Sequence, residues 1–202
     1  RIVPLRDFMP HVETTELGRQ IDCLALSLGL QTLTQEPAVR LAVNMSARSI
    51  GHEDWARTLA DGLRNRESIA ERLILEITES SAMDLPDEVR TFMHDLQGRG
   101  VSFALDDFGA GMSSFGYLKN LPVDIIKIDG SFVKEILNSK VDRAMVEMIT
   151  KTAKIMQKQV VAEFVESLAI LDELRQIGVD YVQGYAIGKP VPVLTLREEK
   201  IA

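Results

Sequence analysis

Short runs of β-branched and other apolar residues alternate along the chain with longer segments whose apolar residues recur every three or four positions. The short runs occur at Arg40–Met45, Arg72–Thr78, Val101–Asp107, Asp124–Asp129, Gln159–Glu163 and Asp180–Gly184. They are too short and too apolar for surface helices, and they predict buried parallel strands. Helical spacing is found at Val12–Leu30, His52–Arg66, Pro86–Gln97, Val141–Met156 and Ser167–Ile177. This repeated alternation predicts an α/β fold with a parallel sheet, either doubly wound or closed into a barrel.

Polar residues stand at or just after the end of every predicted strand. They are Asn44, Glu76 and Glu79, Asp106 and Asp107, Lys127 and Asp129, Glu163, and Gln183. Each one alone could be a helix cap or a strand end that faces solvent. In a closed parallel barrel, however, all these ends meet at one mouth, where such enzymes carry their chemistry. Because buried charge is costly unless it is paired or bound to metal, the ring of polar ends favours a functional site in a barrel.

The residue types at the strand ends indicate a class of metal. Asparagine, glutamate and aspartate oxygens, without cysteine or histidine at these ends, suit Mg²⁺ or Mn²⁺ better than zinc. Adjacent Asp106 and Asp107 could flank two cations, an arrangement that supports phosphodiester hydrolysis. The glycine- and serine-containing segment that follows, Asp107–Ser114, is interpreted either as an ordinary strand-to-helix turn or as a loop that gates the site.

The amino-acid composition limits the kinds of partner that the chain is expected to bind. The chain has 202 residues, of which 46% are hydrophobic, and this fits one globular domain over residues 1–202. The net charge of −7 argues against a general polynucleotide binder but allows a small phosphate ligand held through cations. Apolar runs of membrane-spanning length are not found, and the single cysteine, Cys23, favours a cytoplasmic domain.

Six short motifs, in this order, resemble the EAL family of cyclic di-GMP phosphodiesterases, which belong to the GGDEF/EAL signalling proteins. The matching segments are Asn44–Ser49, Glu76–Glu79, Asp106–Gly111, Lys127–Asp129, Val161–Glu163 and Gln183–Tyr185. Pro4 and Phe8–Pro10 also resemble the segment that follows the motif from which the family is named. Each motif is weak alone, but six in order across nearly the whole chain are specific.

The resemblance implies a TIM-like (β/α)8 barrel with cyclic di-GMP (c-di-GMP) across its mouth and hydrolysis to linear pGpG. Two Mg²⁺ or Mn²⁺ ions are implied, with ligands at Asn44, Glu76, Asp106, Asp107 and Glu163. The implied catalytic set is Lys127, Glu163, Gln183 and Glu79. In the family pattern, Lys127 helps to position the attacking water, and Glu79 steadies the Asp107–Ser114 loop. Ligand-binding positions are expected at Ser46, Arg48, Asp129, Glu166 and Gly184. A homodimer is also expected, since the same loop takes part in dimerisation in the family.

Two departures from the family pattern stand out. Phe164 follows Glu163 where the family often has glycine, and the Glu-Ala-Leu signature itself is absent. We therefore expect an EAL domain truncated at its N-terminus, with two barrel strands and one metal-binding glutamate upstream. Sensory or GGDEF domains, or a membrane anchor, could also precede it.

Two rival functions fit the same residues. A receptor that binds c-di-GMP without cleaving it is the main alternative, and the upstream signature residue would discriminate, since glutamate there favours catalysis. A different metal-dependent TIM-barrel hydrolase is the other, but it would have to share six motifs by chance.

Overall fold

One parallel sheet organises the structure, a computed structural model that describes residues 7–84, 86–111 and 115–191. Each strand pairs with the next one along the chain, so that the order is β1-β2-β3-β4-β5-β6. The strands are β1 Leu41–Asn44, β2 Leu73–Thr78, β3 Ser102–Phe108, β4 Ile125–Ile128, β5 Gln159–Ala162 and β6 Tyr181–Val182. A doubly wound sheet reverses its strand order at a switch point, whereas this order runs in one direction. The sheet is therefore a half-barrel of the TIM-like type, which confirms the predicted fold class.

Helices connect the strands. They are α1 Met9–Val12, α2 Glu16–Gln35, α3 Glu53–Leu63, α4 Glu67–Ala70, α5 Glu79–Asp84, α6 Pro86–Gln97, α7 Phe115–Leu118, α8 Gly130–Lys134, α9 Lys140–Ile155 and α10 Leu168–Ile177. Within the described ranges, these helices include none with the length and apolar character needed to cross a membrane. Pro4 and residues 112–114 of the predicted loop lie outside the described residues.

The predicted strands are all confirmed, and the first predicted helix is confirmed from Glu16 to Leu30, but its predicted beginning is wrong. Val12–Leu30 was expected to be one helix, with a bend near Gly18. Instead, α1 ends at Val12, Thr15 adopts an extended conformation, and α2 begins at Glu16. Gly18 allows a close approach at this break, because a Cβ there would lie 2.6 Å from the carbonyl oxygens of Val12 and Glu13.

The two faces of the sheet have different roles. Residues such as Val43, Leu75 and Leu105 point outward into one continuous apolar core that they share with the helices. The alternate residues point to the inner face, and strand register brings Asn44 beside Glu76. Because the strands are parallel, their carboxyl ends lie at one edge of the sheet, where the polar residues were predicted to meet.

Candidate active site

Lys127, in β4, lies at the centre of three carboxylates. Its Nζ is 3.0 Å from Glu76 Oε2, 2.9 Å from Asp106 Oδ1 and 2.9 Å from Glu163 Oε1. The lysine is only 4% exposed, and Glu76 and Glu163 are buried as well. Four of the predicted site residues, from four different strand ends, thus form one buried ionic cluster.

The cluster carries more negative than positive charge. Burial would lower the pKa of Lys127, but the carboxylates of Glu76, Asp106 and Glu163 raise it well above its usual value, so this lysine is charged. Burial raises the pKa of Glu76 and of Glu163, and Lys127 offsets only part of that effect. With the neighbouring Asp107, four carboxylates face one ammonium group, an imbalance that a divalent cation would relieve.

Asp107 reaches the site because β3 contains a bulge. Leu105 pairs with Ile126 and Phe108 with Ile128, so β3 has one residue more than β4 over this stretch. Asp107 takes a left-handed backbone conformation with φ of 55°, which aspartate tolerates better than most residues. Neighbouring residues on a regular strand point to opposite faces, so the bulge explains how Asp106 and Asp107 can serve the same mouth.

The site meets the requirements for a hard metal ion. One carboxylate oxygen from each of Asp106, Asp107 and Glu163 can be chosen so that all three lie within 4.8 Å of one another. Asp107 is exposed, Asp106 is half-buried and Glu163 is buried, so the group opens to solvent on one side. Oxygen donors with excess negative charge fit divalent ions such as Mg²⁺, Mn²⁺ or Ca²⁺.

Glu79 connects the end of β2 to the segment after β3. Its Oε2 accepts a hydrogen bond from the backbone N–H of Gly109 at 3.2 Å, and Glu79 is buried. Burial raises the pKa of Glu79, and the hydrogen bond from Gly109 partly opposes the shift. This contact joins Glu79 to the beginning of the predicted loop, as expected for a loop-anchoring residue.

A cavity of about 390 Å³ lies beside the cluster, between β1 and β3. We call it the β1–β3 cavity. Its walls include Asn44, Ser46 and Arg48 together with Asp106 and Asp107. Two residues expected to bind ligand and three expected to bind metal therefore share one space.

The turn that follows β1 is held residue by residue. The backbone N–H groups of Met45, Ser46, Ala47 and Arg48 each donate to a different acceptor. Met45 N–H donates to the carbonyl of Glu76 at 2.8 Å, and Ser46 N–H donates to the carboxylate of Asp22 at 2.9 Å. Ala47 N–H donates to the hydroxyl of Ser81 at 2.8 Å, and Arg48 N–H donates to the hydroxyl of Ser46 at 3.2 Å. The turn is therefore a fixed wall of the cavity.

A second cavity of similar size, the β5–β6 cavity, lies on the other side of the cluster. Glu163, Phe164, Glu166, Gln183, Gly184 and Tyr185 line it. Phe164 is 48% exposed and has φ of 54°, an unusual conformation for a residue other than glycine. The Phe164 ring packs over Gly130. Lys134 Nζ lies over the same ring, 4.1 Å from its centroid, and the two contacts stabilise the conformation of Phe164.

The remaining predicted residues take different places. Asp129 caps α8 by accepting a hydrogen bond from Ser131 N at 2.8 Å, and its charge contributes to the raised pKa of Asp107, after burial and Asp106. Asn44 belongs to the β1–β3 cavity, whereas Glu166, Gln183 and Gly184 belong to the β5–β6 cavity. The cluster around Lys127 lies between these two groups.

Asp22 is the residue that sequence reasoning missed. It is a buried carboxylate of α2, beside the mouth, on the helix face that also buries Leu26, Leu30 and Leu33. A charged residue in helical spacing with buried leucines is itself a signal, because such a residue needs partners.

Comparisons with known proteins agree with this geometry. The family described as the EAL domain matches residues 1–190. A cyclic di-GMP phosphodiesterase, PdeB of Shewanella oneidensis, is 37% identical over 98% of this chain and 24% of its own length. PdeF of Escherichia coli, also a cyclic di-GMP phosphodiesterase, is 35% identical over 95% of this chain and 26% of its own length. The chain therefore spans about a quarter of the curated relatives that it matches.

Solved structures show the same fold. A c-di-GMP complex of the PaMucR phosphodiesterase superimposes with a TM-score of 0.85 and 33% sequence identity, over 94% of this chain and 85% of that one. The FimX EAL domain from Pseudomonas aeruginosa bound to c-di-GMP gives a TM-score of 0.84 with 27% identity, over 94% and 78% of the two chains. The half-barrel is therefore shared with proteins whose structures hold this dinucleotide.

Proposed function

The chain belongs to the EAL domain family, and from this membership we propose that it hydrolyses c-di-GMP to linear pGpG with bound divalent metal ions. The observation that carries the proposal is the buried cluster in which Lys127 contacts Glu76, Asp106 and Glu163. The cluster lies between two cavities, and its excess of carboxylates suits metal ions that would bridge the protein to a phosphodiester.

The proposed metal ligands are the oxygen atoms of Asn44, Glu76, Asp106, Asp107 and Glu163, and the proposed ions are two Mg²⁺ or Mn²⁺. Such ions, when bound, lower the pKa of water and offset negative charge on the phosphate. The three carboxylates that meet within 4.8 Å support this assignment, as does the bulge that directs Asp107 to the mouth.

Lys127 supplies fixed positive charge within the cluster. Its raised pKa keeps it protonated at neutral pH, so we assign to it the stabilisation of negative charge that develops on the reacting phosphate. The same ammonium holds Glu76 and Glu163 in place before any ligand binds. Its position inside the carboxylate group supports a role in orienting the attacking water.

The two cavities would bind the substrate. Ser46 and Arg48 are proposed to contact it in the β1–β3 cavity, and Glu166, Gln183 and Gly184 in the β5–β6 cavity. Asp129 is proposed to act at the mouth as well, beside Asp107. Arg48 offers a cation for a phosphate oxygen, and Glu166 and Gln183 offer hydrogen-bonding groups for a base.

The setting of the domain is also a proposal. We propose a single domain over residues 1–202 that acts as a homodimer in the cytoplasm, where the lone Cys23 would remain reduced. Because the relatives are much longer than the matched segment, sensory or GGDEF domains in the same protein are proposed partners.

Chromatography of the nucleotide products tests the proposal. The purified protein is incubated with c-di-GMP in Mn²⁺, Mg²⁺, Ca²⁺ or EDTA, and binding is measured in parallel by calorimetry. We expect pGpG with Mn²⁺ or Mg²⁺ and none with EDTA. Ca²⁺ should support binding with little turnover, because its looser coordination suits the reaction poorly. Tight binding without cleavage in every metal would instead indicate a receptor.

A further inference from the structure

Asp22 forms a link between the long helix α2 and the turn after β1. Its Oδ2 accepts a hydrogen bond from the backbone N–H of Ser46 at 2.9 Å and a second from the hydroxyl of Ser49 at 2.6 Å. Asp22 is 8% exposed, and Ser49 is fully buried. The carboxylate therefore lies in the protein interior, with both hydrogen bonds directed at a single turn.

Apolar packing of α2 does not by itself explain a carboxylate at this place. Its neighbours along the helix face are Leu26, Leu30 and Leu33, all buried, and a leucine at position 22 would continue that face. Burial raises the pKa of Asp22, and the hydrogen bonds from Ser49 and Ser46 oppose this only in part. Replacing a whole buried polar set by well-packed apolar groups is often neutral or stabilising, whereas a leucine at position 22 alone would leave the Ser46 N–H and the Ser49 hydroxyl without their acceptor.

The turn that Asp22 holds carries residues of the proposed site. Ser46 and Arg48 line the β1–β3 cavity with Asp106 and Asp107. Other N–H groups of this turn bond to the carbonyl of Glu76, to Ser81 after β2 and to Ser46 itself. Among these acceptors, Asp22 is the one supplied by α2, and its side chain also lines the β1–β3 cavity, so it holds the turn from the α2 side of that cavity.

We propose that Asp22 is a positioning residue for substrate binding: by holding Ser46 and Ser49, it sets the orientation of Arg48 toward the β1–β3 cavity. This inference rests on the proposed function, since the bound substrate is taken to be c-di-GMP. Lys127 and its carboxylate partners are held by their own ion pairs and do not contact Asp22 in the described structure. Loss of Asp22 should therefore weaken substrate binding while the chemical step is largely kept.

Two substitutions separate positioning from packing. Asp22→Leu continues the apolar face and removes both hydrogen bonds. Asp22→Asn keeps the shape of the side chain, and its amide oxygen, in the place of Oδ2, can accept from both the Ser46 N–H and the Ser49 hydroxyl. Asp180→Leu is the matched control, because Asp180 also accepts a backbone N–H, that of Val160 at 2.8 Å, but at the opposite end of the strands.

The measurements are KM and kcat for c-di-GMP in Mn²⁺, unfolding by urea, and hydrogen exchange at residues 45–49. For Asp22→Leu we expect a rise in KM of about tenfold. This is the size expected when Arg48, no longer held in place, loses one charge-assisted hydrogen bond to the substrate. Its kcat should stay within about threefold of the wild type, its resistance to urea should fall because the Ser46 N–H and the Ser49 hydroxyl lose their acceptor, and the Ser46 amide should exchange faster. Asp22→Asn should restore KM to near the wild-type value, and Asp180→Leu should leave both KM and Ser46 exchange unchanged.

The outcomes distinguish this inference from the proposed function. An unchanged KM in Asp22→Leu, or the same rise in KM in Asp180→Leu, overturns the positioning role even if the wild type cleaves c-di-GMP. A wild-type protein without cleavage overturns the proposed function, and the Kd for c-di-GMP in Ca²⁺ then replaces KM. If the wild type also fails to bind, exchange decides: equal exchange of Ser46 in wild type and Asp22→Leu overturns the positioning role.

Discussion

Lys127 and Glu163 form a buried ion pair, with 2.9 Å between Nζ and Oε1, at the ends of neighbouring strands. The same lysine contacts Glu76 and Asp106. Removing it by Lys127→Met leaves buried carboxylates without their cation, a change that costs about 3–5 kcal/mol when one partner of a buried pair is lost. We expect the metal-free variant to be destabilised by this amount in urea unfolding, and pGpG formation to be strongly reduced.

Added Mn²⁺ should rescue the stability of Lys127→Met more than that of the wild type, because the ion replaces the missing positive charge. Lys158→Met is the control, since Lys158 donates to the carbonyl of Val123 at 2.6 Å at the amino-terminal side of β5, away from the cluster. A Mn²⁺ effect on stability that is equal in wild type, Lys127→Met and Lys158→Met would contradict a metal site at the cluster.

Glu79 should act through the segment that contains Gly109. Glu79→Ala removes the acceptor of the Gly109 N–H and leaves that donor without its carboxylate. We expect cleavage of c-di-GMP to fall about tenfold, as expected for one lost charge-assisted bond, and the amides of Gly109, Ala110 and Gly111 to exchange faster. Glu88→Ala, which changes an exposed glutamate in the first turn of α6, should alter neither quantity. Unchanged rate and unchanged exchange in Glu79→Ala would remove its role as loop anchor.

The metal-free protein should lose stability as the pH rises from mildly acidic to neutral. Burial is the first cause that raises the pKa values of Glu76, Asp107 and Glu163 above their unfolded values. The folded state then binds more protons than the unfolded state, so this stabilisation is complete below the unfolded pKa and is lost as pH rises through the folded pKa. Urea unfolding in EDTA between pH 5 and pH 8 should show the decrease, by an amount on the order of 1 kcal/mol for each pKa unit.

Glu163→Gln isolates the contribution of the cluster from that of the acidic surface. The variant lacks one titrating group with a raised pKa, so its stability should fall less steeply with pH than that of the wild type. Saturating Mn²⁺ should flatten the wild-type dependence, because the ion favours the ionised carboxylates. Equal slopes for wild type and Glu163→Gln in EDTA would show that Glu163 does not have a raised pKa.

The strands and the mouth could be predicted because each depends on local sequence. Buried parallel strands have apolar runs that periodicity reveals, and parallel pairing brings the ends of such runs to one edge. For this reason Glu76, Asp106, Lys127 and Glu163 were expected together and are found in contact. The doubly wound alternative was removed only by the strand order, which single runs do not encode.

Other features depend on contacts between distant segments. The break after Val12 is set by the packing of α1 against α2, and helical spacing alone did not show it. The bulge at Asp106 and Asp107 appears only when β3 is paired with β4. Asp22 and Ser49 are separated by 27 positions in the chain, so their hydrogen bond could not be predicted from either residue alone.

The rate of pGpG formation by the wild type and by Asp106→Asn, measured side by side at a Mn²⁺ concentration that just saturates the wild type, tests the central claim most directly. Asp106 contacts Lys127 and belongs to the three-carboxylate group, and the asparagine variant keeps its size while removing its charge. We predict steady pGpG formation by the wild type, loss of at least about 100-fold in Asp106→Asn from weakened metal binding, and no change in overall fold by circular dichroism. A wild type that forms no pGpG, or an Asp106→Asn variant that forms it at the wild-type rate, would contradict a metal-dependent phosphodiesterase site built on these carboxylates.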